Sequence, residues 1–187
     1  MTQGSYTFSF DALMKGELGL TVSGGTYFAD AASYCLHVHG HPNPVRLSLS
    51  GDLSGSGTLD WGSVSEAHRR THADLQEAAE FGACAIGVVI AVQLTGLSGV
   101  ERSVKGTGID FWLVNDSDER GIFQRSARLE ASGILTGSET TIRARVKQKL
   151  AQTNPTDKAG LPAYVAIVEF GLPEARFLAK SSKVREQ

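Results

Sequence analysis

Cysteine is nearly absent: Cys35 and Cys84 are the two thiols in 187 residues. A pair so far apart in the chain matches neither a zinc ligand set nor a disulfide framework, which excludes the small stapled scaffolds. The Met1 end lacks a basic segment followed by an apolar one, so no secretory leader is expected. An excess of either charge is missing too: 18 Lys and Arg stand against 20 Asp and Glu, a net −2. Bulk charge alone therefore does not recommend nucleic acid as a partner. Residues 81–100 are uncharged, yet their strictly apolar heart, Ala83 to Val92, contains Gly87 and is soon followed by Gln93 and Thr95. A run that short reads as a buried helix rather than a membrane span. No internal repeat, heptad run or low-complexity tract is present. A soluble, cytoplasmic protein without a membrane partner is expected.

What is present can build a core: 41% of residues are apolar and 20% charged. The charges are unevenly spread. Residues 1–100 carry 4 Lys/Arg against 9 Asp/Glu, whereas residues 101–187 carry 14 against 11. A polyanion, if bound, would meet the second half.

Tyr6 to Phe10 alternates like a half-buried strand, and Tyr27 to His39 carries apolar residues at helical spacing, with Gly40 as its stop. Val45 to Ser50 reads as a strand, and the Gly-Ser-rich stretch 51–57 turns into another ending near Trp61. Ser63 or Ser65 is expected to cap one long helix running to about Gln93. Strand-like pieces follow at Glu101–Lys105, Gly108–Val114 and Ser126–Leu135, with an acidic loop, Asn115–Arg120, before the third. A further strand is expected at Ala163–Phe170, and the tail after Lys180 is expected to fray. Residues 142–150 are ambiguous, because alternation of Ile142, Ala144 and Val146 with Arg143, Arg145, Lys147 and Lys149 is a strand pattern. Ile142, Val146 and Leu150 also repeat every four residues, and the composition favours helix, with Thr136 and Glu139 able to form a capping box. The fold class expected is mixed α/β, or α+β: a central mixed sheet flanked by helices, with a small N-terminal extension (1–62) before a core (63–187).

Several chemistries find no footing. His37, His39 and His41 would share a face on a strand, but a helix points residues two apart about 200° around its axis. His68 and His72 share a helix face, yet Arg69 and Arg70 stand where a metalloprotease has its glutamate. No nucleophile elbow or phosphate loop is found. Lys105-Gly106-Thr107-Gly108 looks phosphate-binding but precedes a strand, so it is no helix-terminus anion site. Carboxylates are more informative. Asp110 interrupts the apolar Ile109–Leu113, and Glu130 interrupts Ala127–Ala131. A carboxylate in a core-type strand must be compensated, by an arginine such as Arg102 or Arg128 or by a divalent cation.

The succession of helix (66–93), strand, strand with Gly-Thr-Gly-Ile-Asp-Phe, strand with Leu-Glu-Ala-Ser-Gly, helix (138–152) and strand (163–170) resembles the PD-(D/E)XK, or restriction-endonuclease-like, nuclease core over about residues 64–170. The resemblance implies that Asp110 and Glu130 bind Mg2+, joined by an acid of the first helix, Glu77 or Glu80, with Glu80 preferred. It implies a lysine beside the attacking water. The family's lysine position two after the glutamate is Ser132 here, so the cation would come from the next helix, as Lys147 or Lys149, with Lys147 preferred. Arg143, Arg145, Lys147 and Lys149 would then pair nucleic-acid phosphates. The activity implied is a metal-dependent nuclease. The alternative is a catalytically inactive assembly subunit that binds a protein partner, or a second copy through its N-terminal unit, with Asp110 and Glu130 as internal ion pairs.

Overall fold

In the computed structural model, which describes residues 4–115 and 124–180, the chain folds around one eight-stranded mixed sheet. Its elements are β1 (Gly4–Ser9), α1 (Asp11–Met14), α2 (Val22–Val38), β2 (Val45–Gly51), β3 (Gly55–Asp60), α3 (Glu66–Thr71) and α4 (Leu75–Thr95). There follow β4 (Gly99–Arg102), β5 (Phe111–Asn115), β6 (Gln124–Ile134), α5 (Glu139–Gln152), a 3-10 turn (Asn154–Ala159), β7 (Ala163–Glu169) and β8 (Glu174–Lys180). The strand order is β1-β3-β2-β8-β7-β6-β5-β4. The β4–β5–β6 meander is antiparallel, and β7 returns parallel to β6 after α5 crosses the sheet.

The long helix expected from residue 63 or 65 to 93 is two helices. Ser65 caps only the short α3, and the chain breaks at 72–74, where the Asp74 side chain accepts from the Gln76 and Glu77 amides and starts α4 afresh. A side-chain acceptor that satisfies the first free amides competes with continuing the previous helix. α4 is long and apolar enough to span a membrane, but its most apolar stretch is 67% buried inside this fold. It lies between α2 and the sheet as the core helix.

Glycines set that packing distance. A Cβ at Gly133 would stand 2.0 Å from the Ala79 carbonyl oxygen of α4, so β6 and α4 touch backbone to backbone there. On the opposite face, α5 lays Ile142, Val146 and Leu150 on Ile134, Val165 and Ile167. The helical reading of 142–150 thus describes the observed element. Its cap is Ser138 rather than Thr136.

The element that sequence reading passed over is β8. It pairs antiparallel with β7 and parallel with β2, so the strands of the expected N-terminal unit continue the same sheet as the core. The tail 181–187 and positions 116–120 of the acidic loop lie outside the described residues.

Candidate functional site

β5 leaves the ladder at Asp110. Phe111 pairs with Leu129, and one step earlier Asp110 still donates its amide to the Leu129 carbonyl at 3.0 Å. The next partner of β6, the Ala131 amide, is taken by the Asp110 side chain, whose Oδ2 accepts at 3.0 Å. The carboxylate thereby finishes the sheet where the backbone turns away. The departing loop, 103–109, folds back on the end of α5: a Cβ at Gly108 (φ +73°) would overlap the Gln152 carbonyl oxygen at 1.9 Å. Only glycine permits that approach.

Asp110 and Glu130 face each other across β5 and β6 and border one cleft of about 420 Å³, with Arg102, Lys105 and Gln152 around them. Glu130 is buried, and its Oε1 accepts from Lys149 Nζ at 2.6 Å and Gln152 Nε2 at 2.9 Å. Burial first, then the charge and hydrogen bonding of Asp110, raise the Glu130 carboxyl to about 7 against the opposing pull of Lys149. Two carboxyls in one place cannot both ionise freely. Arg102 Nη2 approaches Asp110 Oδ1 at 3.5 Å, and its guanidinium lies 4.7 Å from the Phe111 ring centre. Arg102 is thus the arginine that meets Asp110. Arg128, the other candidate for compensation, is fully buried but faces away, held by Leu161 and Thr153 carbonyls, Thr156 and Asp157.

Glu80 stands apart from the pair. Its carboxylate accepts from Ser132 Oγ, the Gly133 amide and Arg145 Nη1 at 3.1 Å each. Among the described residues no group of three or more His, Cys, Asp or Glu is placed to hold a metal ion. Glu77 lies in the first turn of α4, next to the Asp74 cap. The two-carboxylate set still suits Mg2+, which takes one or two carboxylates and completes its shell with water and substrate phosphate. Two crowded carboxyls at a cleft, with the Glu130 carboxyl raised by burial and by its neighbour, are the donor chemistry such an ion relieves.

The chain matches no family model, no curated protein and no solved structure. Its site therefore stands on geometry alone.

The basic helix divides by face. Arg145, Lys149 and Gln152 flank the apolar stripe of α5 on the side of β6, where Arg145 meets Ser132 at 2.6 Å and Lys149 meets Glu130. Lys147 lies on the outer side, exposed, without a hydrogen bond or ion pair among the described residues. Arg143, also exposed, pairs with Glu139 of its own helix. Sequence reading preferred Lys147 and passed over Gln152 and the site position of Arg102. The signal for the first two was present: 145, 149 and 152 share a helix face that 147 does not.

The cysteines are chemically quiet. Burial pushes the Cys35 thiol up to about 12, and the Cys84 thiol is also pushed up, chiefly by burial.

Proposed function

We propose that the chain is a divergent restriction-endonuclease-like protein that hydrolyses nucleic-acid phosphodiesters with Mg2+ held by Asp110 and Glu130. One observation carries the reading: two carboxylates opposed across neighbouring strands, one of them buried and raised toward neutrality, at the floor of a single cleft with a lysine attached. The succession α4, antiparallel β4–β5–β6, α5 and parallel β7 supports it, since the resemblance rests on the same order. Mg2+ would polarise the phosphate and lower the pKa of a bound water. Gln152 and Lys149 orient the Glu130 carboxylate, and Lys149 supplies the cation that offsets charge developing beside it. Asp110 is oriented by the Ala131 amide, which leaves its Oδ1 toward Arg102 and the cleft. We place the protein in the cytoplasm, where its two free, buried thiols stay reduced.

The test is cleavage of labelled DNA and RNA with Mg2+, alongside thermal melts. Wild type should cleave and gain stability from Mg2+, by about 2.7 kcal/mol at a hundredfold excess over Kd. Asp110→Asn and Glu130→Gln should lose both effects.

A second reading, the inactive assembly subunit, draws on the pairing of the α5 cations: Arg143 with Glu139, Arg145 with Glu80, Lys149 with Glu130. A wild-type melting point indifferent to Mg2+, with no cleavage of either nucleic acid, selects it.

A further inference from the structure

The carboxylate cleft adjoins an apolar hollow of about 570 Å³, and Arg102 lines both. Leu20, Phe28 and Val100 supply the hollow's apolar wall. Mostly apolar concavities with a few fixed polar groups at the rim are the usual seats of small organic groups. Arg102 is such a group. Its guanidinium is held over the Phe111 ring at 4.7 Å and the Phe28 ring at 5.7 Å, while its side chain stays 46% exposed. Stacking fixes the plane, and the long contacts to Asp110 at 3.5 Å and the Cys84 thiol at 3.8 Å leave donor capacity on the exposed edge for an anion.

The charges around the rim are biased toward the same occupant. Glu101 also borders the hollow, but Arg125 holds both of its oxygens, at 2.6 and 2.8 Å. Across Arg102, exposed Lys105 lines the cleft and has no hydrogen bond or ion pair of its own among the described residues. The cations of α5 nearest the carboxylates are already engaged; Lys105, on the loop after β4, is not, and Arg102 touches Asp110 Oδ1 and donates to the Cys84 thiol while nearly half of its side chain stays exposed.

We infer that Arg102 joins the halves of one nucleotide subsite: a phosphate held by Arg102 and Lys105 at the cleft, and its unpaired base seated in the Leu20–Phe28–Val100 hollow. This rests on the phosphodiesterase reading and names its substrate class as single-stranded nucleic acid. A base inside a duplex is stacked and paired, and it cannot enter a hollow without being pulled out. Aromatic and guanidinium planes take an unpaired base of any identity.

The experiment is fluorescence anisotropy with a labelled oligothymidylate and a blunt duplex of equal length, in EDTA so that neither is cut. Wild type should bind the single strand about tenfold or more tightly than the duplex, the scale of one stacked base. Lys105→Glu, on an exposed loop, and Leu20→Glu, checked for folding by circular dichroism, should each weaken single-strand binding several-fold. Equal affinity for both forms, no binding of either, or single-strand binding unmoved by Lys105→Glu overturns the subsite. Strand-selective binding that Lys105→Glu weakens, without any cleavage once Mg2+ is added, upholds the subsite and fells the hydrolase reading instead. Cleavage of duplex and single strand at equal rates does the reverse.

Discussion

Glu130 should make the metal-free protein less stable as pH rises through neutrality, opposite to the usual behaviour of a carboxylate. Its carboxyl moves from an ordinary 4.5 to about 7 in the folded chain. The folded state therefore holds a proton that the unfolded state has released throughout that interval. Where the native state binds more protons, stability falls with pH. The contribution is fully present below about 4.5 and lost as pH climbs through about 7, a change on the order of 3 kcal/mol. Burial is the larger cause and the neighbouring Asp110 the second.

The assay is urea unfolding at a series of pH values without divalent metal, on wild type and Glu130→Gln. Other groups titrate nearby, notably His72, whose pKa burial lowers, so that its contribution rises with pH and partly masks the effect. The difference between the two proteins cancels such groups. That difference should shrink as pH rises from about 5 to about 8, by something approaching the full amount. Glu139 does not interfere, since its pKa is lowered to about 2 by Arg176 and Arg143. A difference that stays flat, or grows with pH, refutes the picture of a carboxyl desolvated beside a second acid.

Three further outcomes are open to measurement. Gly133→Ala should cost about 3 kcal/mol or more in chemical denaturation, because its methyl would strike the α4 backbone at Ala79. Gly87→Ala, whose methyl meets only the Ala166 and Ala131 methyls at 3.2 and 3.4 Å, should cost far less, and equal costs would refute the close approach of β6 to α4. Arg128→Met should lower stability by about 1–3 kcal/mol in the same assay, since it strands the Leu161 carbonyl, which accepts twice from the buried guanidinium. A thiol reagent should label Cys35 and Cys84 at the rate of global unfolding, and prompt labelling of the native protein would contradict their burial.

The strand at 45–51 and the helix at 139–152 were legible in the sequence because each carries an apolar period matched to one packing face, and the strand at 163–169 because it is a short continuous apolar run, buried on both faces of the sheet. Asp110 and Glu130 were legible as charges set into apolar runs, but the strand expected at Gly108–Val114 starts only at Phe111, so Asp110 stands just before its strand and Glu130 alone lies within one. The break at 72–74 was hidden because helical spacing continues across it, and only the choice of Asp74 as a cap separates α3 from α4. β8 was hidden because its neighbours decide it: Ala175 and Phe177 are buried while Glu174, Arg176 and Leu178 are partly exposed, a weak alternation that pairing on both sides turns into a strand. What the sequence could not convey was the register between α5 and the sheet, and with it the partner of every basic side chain.

That register has a physical origin. Four residues of helix rise about 6 Å and two residues of strand about 6.6 Å, so side chains at i and i+4 of α5 can meet alternate residues of β6 one for one. Arg145 thus reaches Ser132 while Lys149 reaches Glu130, the helix running antiparallel to the strand. A lysine at position 132 would place a second cation against Arg145, within the cluster that already uses Glu80. The serine there is consequently matched to the helix above it: Arg145 brings a fixed cation to that point of the sheet, and Lys149 brings one to Glu130. Reversing the pair by Ser132→Lys with Arg145→Ser tests the match. The double variant should recover stability that Ser132→Lys alone loses, and strict additivity of the two single changes would show that strand and helix do not share this charge.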